Sequence, residues 1–156
     1  MRILHLCLCG PFTDDWNYQE NMLAKYHAKS GHEVTVITSQ WMWNSRGALE
    51  KAGRSDYIND DGVRIVRLKI KGKDDFFKRF KRFSGLYDSI DHVNPEIIFI
   101  HGFQFLDIDQ VVKYIKVNRS AKVYIDNHAD ILNSAKNWIS MNILHKILWK
   151  RNVKKI

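Results

Sequence analysis

Short apolar runs alternate with helically periodic segments along the whole chain. The apolar runs that predict β-strands are residues 2–8, 33–38, 63–69, 97–101 and 122–126. The segments that predict helices lie near residues 18–30, 76–93, 105–118 and 136–152. Continuous apolar runs are typical of strands that are covered on both faces, and strands that alternate with helices favour a parallel sheet. The pattern therefore predicts an α/β fold.

The predicted architecture is a three-layer, Rossmann-like, doubly wound parallel sheet with five strands. Numbered along the chain, the strands are expected in the order 3-2-1-4-5. Residues 63–69 mix arginines with apolar side chains, which predicts that strand 3 lies at the edge of the sheet. Residues 1–156 are predicted to form one domain, because 156 residues is an ordinary size for a single core.

Polar segments follow three of the predicted strands at their carboxyl ends. They are residues 10–21 after strand 1, residues 101–104 after strand 4 and residues 126–130 after strand 5. In a sheet of this order, ligands bind beyond the carboxyl ends of the strands, at the switch point between strands 1 and 4. Buried polar groups also need hydrogen-bond partners, so a cluster of them at this edge indicates a binding site.

The segment after strand 1 combines one glycine with a polar helix start. Gly10 lacks a Cβ and could let a ligand approach the backbone closely, or it could be an ordinary turn glycine. The dinucleotide fingerprint G-x-G-x-x-G is absent, so a nicotinamide cofactor is not favoured. Gln19 and Glu20 could hydrogen-bond sugar hydroxyls, or Glu20 could only favour the positive end of the helix.

Two histidines at strand ends are the main candidates for chemistry. His101 and His128 can each donate and accept a hydrogen bond, which suits a sugar hydroxyl or a phosphate oxygen, although both could be structural. Asp126 and Asp130 flank His128 and could fix its tautomer or contact an acceptor hydroxyl. No metal is predicted, because the helical i, i+4 spacing of zinc ligands is missing. The remaining histidines are interpreted as scaffold or surface residues and the cysteines as buried free thiols: His5, His27, His32, His92, His145, Cys7 and Cys9.

A basic and aromatic segment lies inside the predicted helix 76–93. The residues expected to contact a membrane are Phe76, Lys78, Arg79, Phe80, Lys81, Arg82 and Phe83. A helix of this kind could bury its aromatic face at an anionic membrane surface, or it could pack as ordinary scaffold. The net charge of +8 would also suit nucleic acid, but the aromatic face makes that partner the less favoured one.

Several motifs together resemble the amino-terminal domain of GT-B fold glycosyltransferases of family 4 (group 1). The motifs are Gly10-Pro11-Phe12, Tyr18-Gln19-Glu20-Asn21, Gly31-His32-Glu33-Val34-Thr35-Val36-Ile37, His101-Gly102 and Asp126-Asn127-His128-Ala129-Asp130. Members of this family transfer a sugar from a nucleotide-sugar donor to an acceptor, usually with retention of anomeric configuration. The resemblance implies catalytic roles for His128 and Asp126. It implies substrate binding by Gly10, Pro11, Tyr18, Gln19, Glu20, His101, Gly102 and Asp130.

The resemblance also implies partners and a location. The acceptor would be a glycan or a lipid-linked glycan, as in polysaccharide biosynthesis, and no cofactor is implied beyond the nucleotide sugar as co-substrate. The donor-binding carboxyl-terminal domain of the family is not found in residues 1–156, so we expect it in cis or in trans and expect these residues alone to be inactive. The expected location is the cytoplasm, with peripheral contact at the inner face of the membrane. The alternative is a non-catalytic Rossmann-like module that binds a sugar, a nucleotide or a partner protein.

Overall fold

A computed structural model of the 156-residue chain describes residues 1–72, 81–126, 146–147 and 150–155. The strands of its main sheet are β1 (Arg2–Cys7), β2 (Glu33–Ser39), β5 (Asp56–Ile58), β6 (Arg64–Leu68), β7 (Ile97–His101) and β8 (Lys122–Asp126). A separate antiparallel hairpin consists of β3 (Trp41–Trp43) and β4 (Leu49–Lys51). The helices are α1 (Gln19–Lys29), α2 (Leu86–Val93), α3 (Ile108–Val117) and α4 (Lys150–Val153).

The main sheet has six strands in the order β5-β6-β2-β1-β7-β8. All neighbouring strands are parallel except β5, which pairs antiparallel to β6. An α/β fold with a mostly parallel sheet is therefore confirmed, and the five predicted strands keep their expected relative order. The prediction of five strands, with strand 3 at the edge, is wrong because β5 covers β6. Three-residue β5 carries no apolar run long enough to be recognised in the sequence.

The two faces of the sheet are covered by different helices. On one face, alternate residues of β1 and β7 pack with α2 and α3 in a cluster that includes Leu4, Leu6, Ile98 and Ile100. We call this the α2/α3 face. On the other face, which we call the α1 face, Ile3, Cys7, Val34, Val36 and Ile65 pack with Ala24 of α1. Strands β1 and β2 are thus buried on both sides, as their continuous apolar runs predict, whereas edge strand β8 exposes Tyr124 and Ile125.

The segment before α2 differs from its predicted helix. Helix α2 begins at Leu86, and Phe83 instead forms an isolated antiparallel bridge with Ile70. The Phe83 side chain is fully buried in the α2/α3 core, so its predicted membrane contact is wrong. Lys81 is also turned inward and donates a hydrogen bond to the Cys9 carbonyl oxygen, whereas Arg82 is exposed. The other predicted membrane contacts lie outside the described residues: Phe76, Lys78, Arg79 and Phe80.

The wrong prediction for Phe83 has a local cause, which is the helical spacing of the phenylalanines around it. The spacing of phenylalanines matched a helix, but Phe83 belongs to the strand-like bridge that closes onto Ile70.

None of the helices in the described ranges is both long and apolar enough to cross a bilayer.

Candidate functional site

A cleft of about 410 Å³, lined by both polar and apolar residues, opens at the carboxyl end of β1. Its walls are the loop after β1, the first turn of α1, the carboxyl end of β7 and Trp43 of the hairpin. Six predicted substrate-binding residues line it together: Gly10, Pro11, Tyr18, Gln19, Glu20 and His101. The lining also includes residues that were not singled out in the sequence as site residues: Cys7, Cys9, Phe12, Asn21 and Trp43.

Thr13 connects three of these four walls. Its backbone carbonyl accepts a hydrogen bond of 2.9 Å from the Asn21 side chain, which ties the loop to α1. Its hydroxyl accepts a bond of 3.0 Å from the backbone N–H of Trp43, which ties the loop to the hairpin. Tyr18, at the N-cap position of α1, makes no side-chain capping bond. The first N–H groups of α1 therefore receive no hydrogen bond from the Tyr18 side chain.

The buried side chain of Arg67 on β6 anchors the same loop after β1. The Arg67 side chain on β6 donates to the carbonyl oxygens of Phe12 at 3.0 Å and of Ser39 at 3.4 Å. It also donates to the Tyr57 hydroxyl at 3.0 Å and pairs with the Asp14 carboxylate at 3.4 Å. Burial and the bond to Asp14 raise the pKa of Tyr57, so its hydroxyl stays protonated and bridges the two charged groups. These hydrogen-bond and ion-pair partners explain why the arginine is tolerated at a buried position in an interior strand.

The carboxyl ends of β7 and β8 bring two predicted site residues together. His101 and Asp126 are register partners on these strands, and His101 Nδ1 lies 2.8 Å from Asp126 Oδ2. The side-chain amide of Gln19 donates to the same carboxylate oxygen at 3.4 Å. Gln19 is exposed at the cleft wall, so it connects the His101–Asp126 pair to the cleft.

This pair continues into the protein through two further histidines. His5 Nδ1 lies 2.9 Å from His101 Nε2, and His5 Nε2 lies 3.1 Å from His27 Nδ1 on α1. His5 is fully buried, and its ring stacks on Phe99 at a centroid distance of 5.1 Å. We call His27, His5, His101 and Asp126 the histidine chain. The interpretation of His5 and His27 as scaffold or surface residues overlooked this connection.

A signal for His5 was present in the sequence. His5 and His101 both have odd residue numbers, and a register that pairs odd-numbered residues of β1 with odd-numbered residues of β7 places both rings on one face. The register that brings the two rings within hydrogen-bonding distance depends on long-range pairing, which strand patterns do not specify.

Burial keeps the interior of the histidine chain neutral. Desolvation, reinforced by His101 and His27, lowers the pKa of His5 to about 3. Desolvation together with His32 and His101 also lowers the pKa of His27. Both imidazoles are therefore neutral near pH 7, and each ring has one N–H donor and one acceptor nitrogen.

Gly102 has a packing role at the rim. Its φ of +75° suits glycine, and a Cβ there would meet Cys9 Sγ at 2.9 Å. The same sulfur accepts a bond of 3.1 Å from the Gln104 backbone N–H. Gly102 lets β7 close onto the β1 loop, and it is not among the residues that line the cleft.

The two thiols of this region are free and protonated. Burial raises the pKa of Cys9 to about 11, and burial raises the pKa of Cys7 as well. A thiol is a nucleophile only as thiolate, so these cysteines fill space instead of reacting. Within the described ranges, no group of three or more His, Cys, Asp and Glu side chains is arranged to hold a metal ion. His128 and Asp130 lie outside the described residues.

The arrangement suits a neutral ligand that is rich in hydroxyl groups. The residues that line the cleft include the carboxylic acid Glu20, the amides Gln19 and Asn21, and the aromatic residues Phe12 and Trp43. Comparisons of the chain with protein-family models, with curated proteins and with solved structures found no match.

Proposed function

We propose that this chain is the acceptor-binding half of a glycosyltransferase, built as a Rossmann-like, doubly wound domain. The cleft would hold the hydroxyl groups of a glycan or lipid-linked acceptor. A nucleotide sugar bound by a second domain would supply the transferred sugar. The observation that carries the proposal is the grouping of six predicted substrate-binding residues around one cleft at the carboxyl end of β1.

The chemistry of the lining supports a sugar over other small ligands. Glu20 and Gln19 offer the acceptors and donors that vicinal hydroxyls need, and Trp43 offers an aromatic surface for the apolar face of a sugar ring. A cleft of about 410 Å³ lies within the range of about 300–1,000 Å³ that small-molecule sites occupy. This volume suits one or two sugar rings.

In this proposal the residues of this chain position the substrates, and none of them acts as a nucleophile. In this proposal His128 approaches the transferred sugar, and Asp126 contacts the acceptor hydroxyl while His101 and Gln19 hold its carboxylate in place. Neither thiol is ionised, so Cys7 and Cys9 offer no nucleophile. The exposed backbone at Gly10 leaves room for a phosphate group to approach, since its position has no side chain to exclude one.

Saturation-transfer NMR of the 156-residue chain with a panel of mono- and disaccharides tests the binding step. The best ligand is then titrated against the wild type and Glu20→Gln. We expect Glu20→Gln to weaken binding about tenfold, because a hydrogen bond to a charged group contributes ~1.5–3 kcal/mol. Glu33→Gln is the matched control, since Glu33 is exposed at the opposite, amino end of β2.

Two outcomes would overturn the proposal. One is that no saccharide in the panel binds, and the other is that Glu20→Gln and Glu33→Gln weaken binding equally. A saccharide that binds but is never glycosylated, even after the donor domain is supplied in trans with its nucleotide sugar, would identify a non-catalytic binding module.

A further inference from the structure

We propose that His27, His5 and His101 conduct a proton between the surface of α1 and the Asp126 carboxylate beside the cleft. The path exists in the protein without ligand. Its use by a bound acceptor rests on the function proposed above.

The geometry of the path is continuous. Three contacts of 3.1, 2.9 and 2.8 Å join the four side chains in sequence, each within the range of a hydrogen bond. The outer member, His27, is half-buried on α1, whereas His5 is fully buried and His101 is 4% exposed. The histidine chain therefore extends from the partly exposed His27 through the interior to the carboxyl edge of the sheet.

An aromatic wall separates the middle of the path from water. The Phe99 ring lies 5.1 Å from the His5 ring and 5.3 Å from the His27 ring, measured between centroids. Phe99 cannot exchange protons, so within the described residues a proton that reaches His5 can move only to the two neighbouring imidazoles. Titratable neighbours of the path include His32, with its ring 6.3 Å from that of His27, and the thiols of Cys7 and Cys9, which interact with Asp126.

One consistent set of tautomers satisfies every bond. An ionised Asp126 only accepts, so His101 donates from Nδ1 and accepts at Nε2. His5 then donates from Nδ1 to His101 and accepts at Nε2 from the Nδ1–H of His27. All three rings are Nδ1–H tautomers, and His27 Nε2 keeps a lone pair to which no group bonds in the part of the chain that the structure describes.

The transfer moves one proton without any redox change. A proton binds His27 Nε2, and the Nδ1 proton of His27 passes to His5 Nε2. The Nδ1 proton of His5 passes to His101 Nε2, and the Nδ1 proton of His101 passes to Asp126 Oδ2. Each ring becomes an Nε2–H tautomer and the carboxylate becomes a carboxylic acid. Movement of the same proton back along the path restores the starting state, and from that state the path delivers a proton from His27 to Asp126.

The measurement is the exchange of the His101 Nδ1 proton with water, followed by NMR on the ¹⁵N-labelled chain without ligand. Long-range ¹H–¹⁵N spectra at pH 7.5 first assign the tautomers, and we expect Nδ1–H for His5, His27 and His101. We then expect His5→Phe to slow exchange at His101 by roughly an order of magnitude, because His101 Nε2 loses its proton source and only direct removal of the Nδ1 proton at the cleft side, or opening of the structure, remains as a route. His27→Phe, at a half-buried position, removes the entry point and provides a second variant should His5→Phe fail to fold.

A merely structural role gives the opposite result. Loss of a supporting hydrogen bond would loosen the site and leave exchange at His101 unchanged or faster, which would overturn the proposal. An Nε2–H tautomer at His5 in the wild type at pH 7.5 would also overturn it. His92→Asn, on the exposed surface of α2, is the matched control and should change nothing. Since no saccharide is present, failure of glycan binding would not affect this result.

Discussion

The two faces of the same two strands carry different chemistry. On the α2/α3 face, β1 and β7 present Leu4, Leu6 and Ile100, all fully buried among apolar side chains. On the α1 face, the same strands present His5 and His101, which are as deeply buried but hydrogen-bonded in a chain. One backbone therefore supports an apolar core on one side and a polar network on the other.

The difference separates stability from function. Apolar burial stabilises the fold without directional demands, whereas every buried imidazole must find a donor and an acceptor. A histidine pair in place of a leucine pair adds no obvious stability, so its presence under α1 points to a role at the cleft. Changes on the two faces should then have different signatures.

The largest effect is expected from the apolar face. Leu6→Ala removes a fully buried side chain beneath α2 and α3, and we expect the free energy of unfolding to fall by ~2–5 kcal/mol. Denaturant unfolding measures it. Affinity of the folded fraction for the best saccharide should stay at the wild-type value. A loss below about 1 kcal/mol would mean that this face is not the packed core.

A smaller loss of stability is expected from the polar support of the cleft. Arg67→Met leaves the carbonyl oxygens of Phe12 and Ser39 without their donor and removes the partner of Asp14. We expect unfolding free energy to fall by ~2–3 kcal/mol, together with weaker saccharide binding, because the loop loses its anchor. Arg64→Met, which breaks an exposed pair with Asp56 on the same strand, is the control and should cost less than ~1 kcal/mol. Similar losses in both variants would argue against the anchoring role.

The pH dependence of stability sharpens the comparison further. The pKa of His5 is about 3 in the folded protein, against an ordinary value of 6.5. Between these values the unfolded chain binds a proton that the folded protein does not, so stability rises with pH across this window and falls as pH is lowered. His5 alone should contribute a slope of up to ~1.4 kcal/mol per pH unit.

Denaturant titrations of the wild type and His5→Phe at several pH values between 4 and 6 measure this slope. Because the carboxylates contribute equally to both proteins, the difference isolates His5. We expect a shallower slope in His5→Phe and an unchanged one in His92→Asn. Parallel slopes for wild type and His5→Phe would show that His5 is not buried in its neutral form.

The sequence predicts the apolar face well and the polar face in part. Short runs rich in apolar residues located β1, β2, β6, β7 and β8, and in the central strands β1 and β2 these runs are buried on both sides. The sequence motifs also identified Gly10, Gln19, Glu20 and His101, which line one cleft. Strand β5 and the hairpin were missed because three-residue strands leave almost no periodic signal.

The errors have one physical cause, which is dependence on distant contacts. Phe83 fits a helical spacing locally, yet pairing with Ile70 sets its structure. Arg67 suggests an edge strand locally, yet partners on the β1 loop and on β5 make its burial acceptable. His5 and His27 become significant only through a register and a helix packing that join residues far apart in sequence.

The central claim is that a sugar occupies the cleft at the carboxyl end of β1, and amide and indole shift mapping tests it most directly. The best saccharide is titrated into the ¹⁵N-labelled chain. We expect the largest shifts at the Gln19 amide and the Trp43 indole, with none on α2 or α3. Shifts confined to α2 and α3, or an unmoved Trp43 indole at saturation, would contradict the claim.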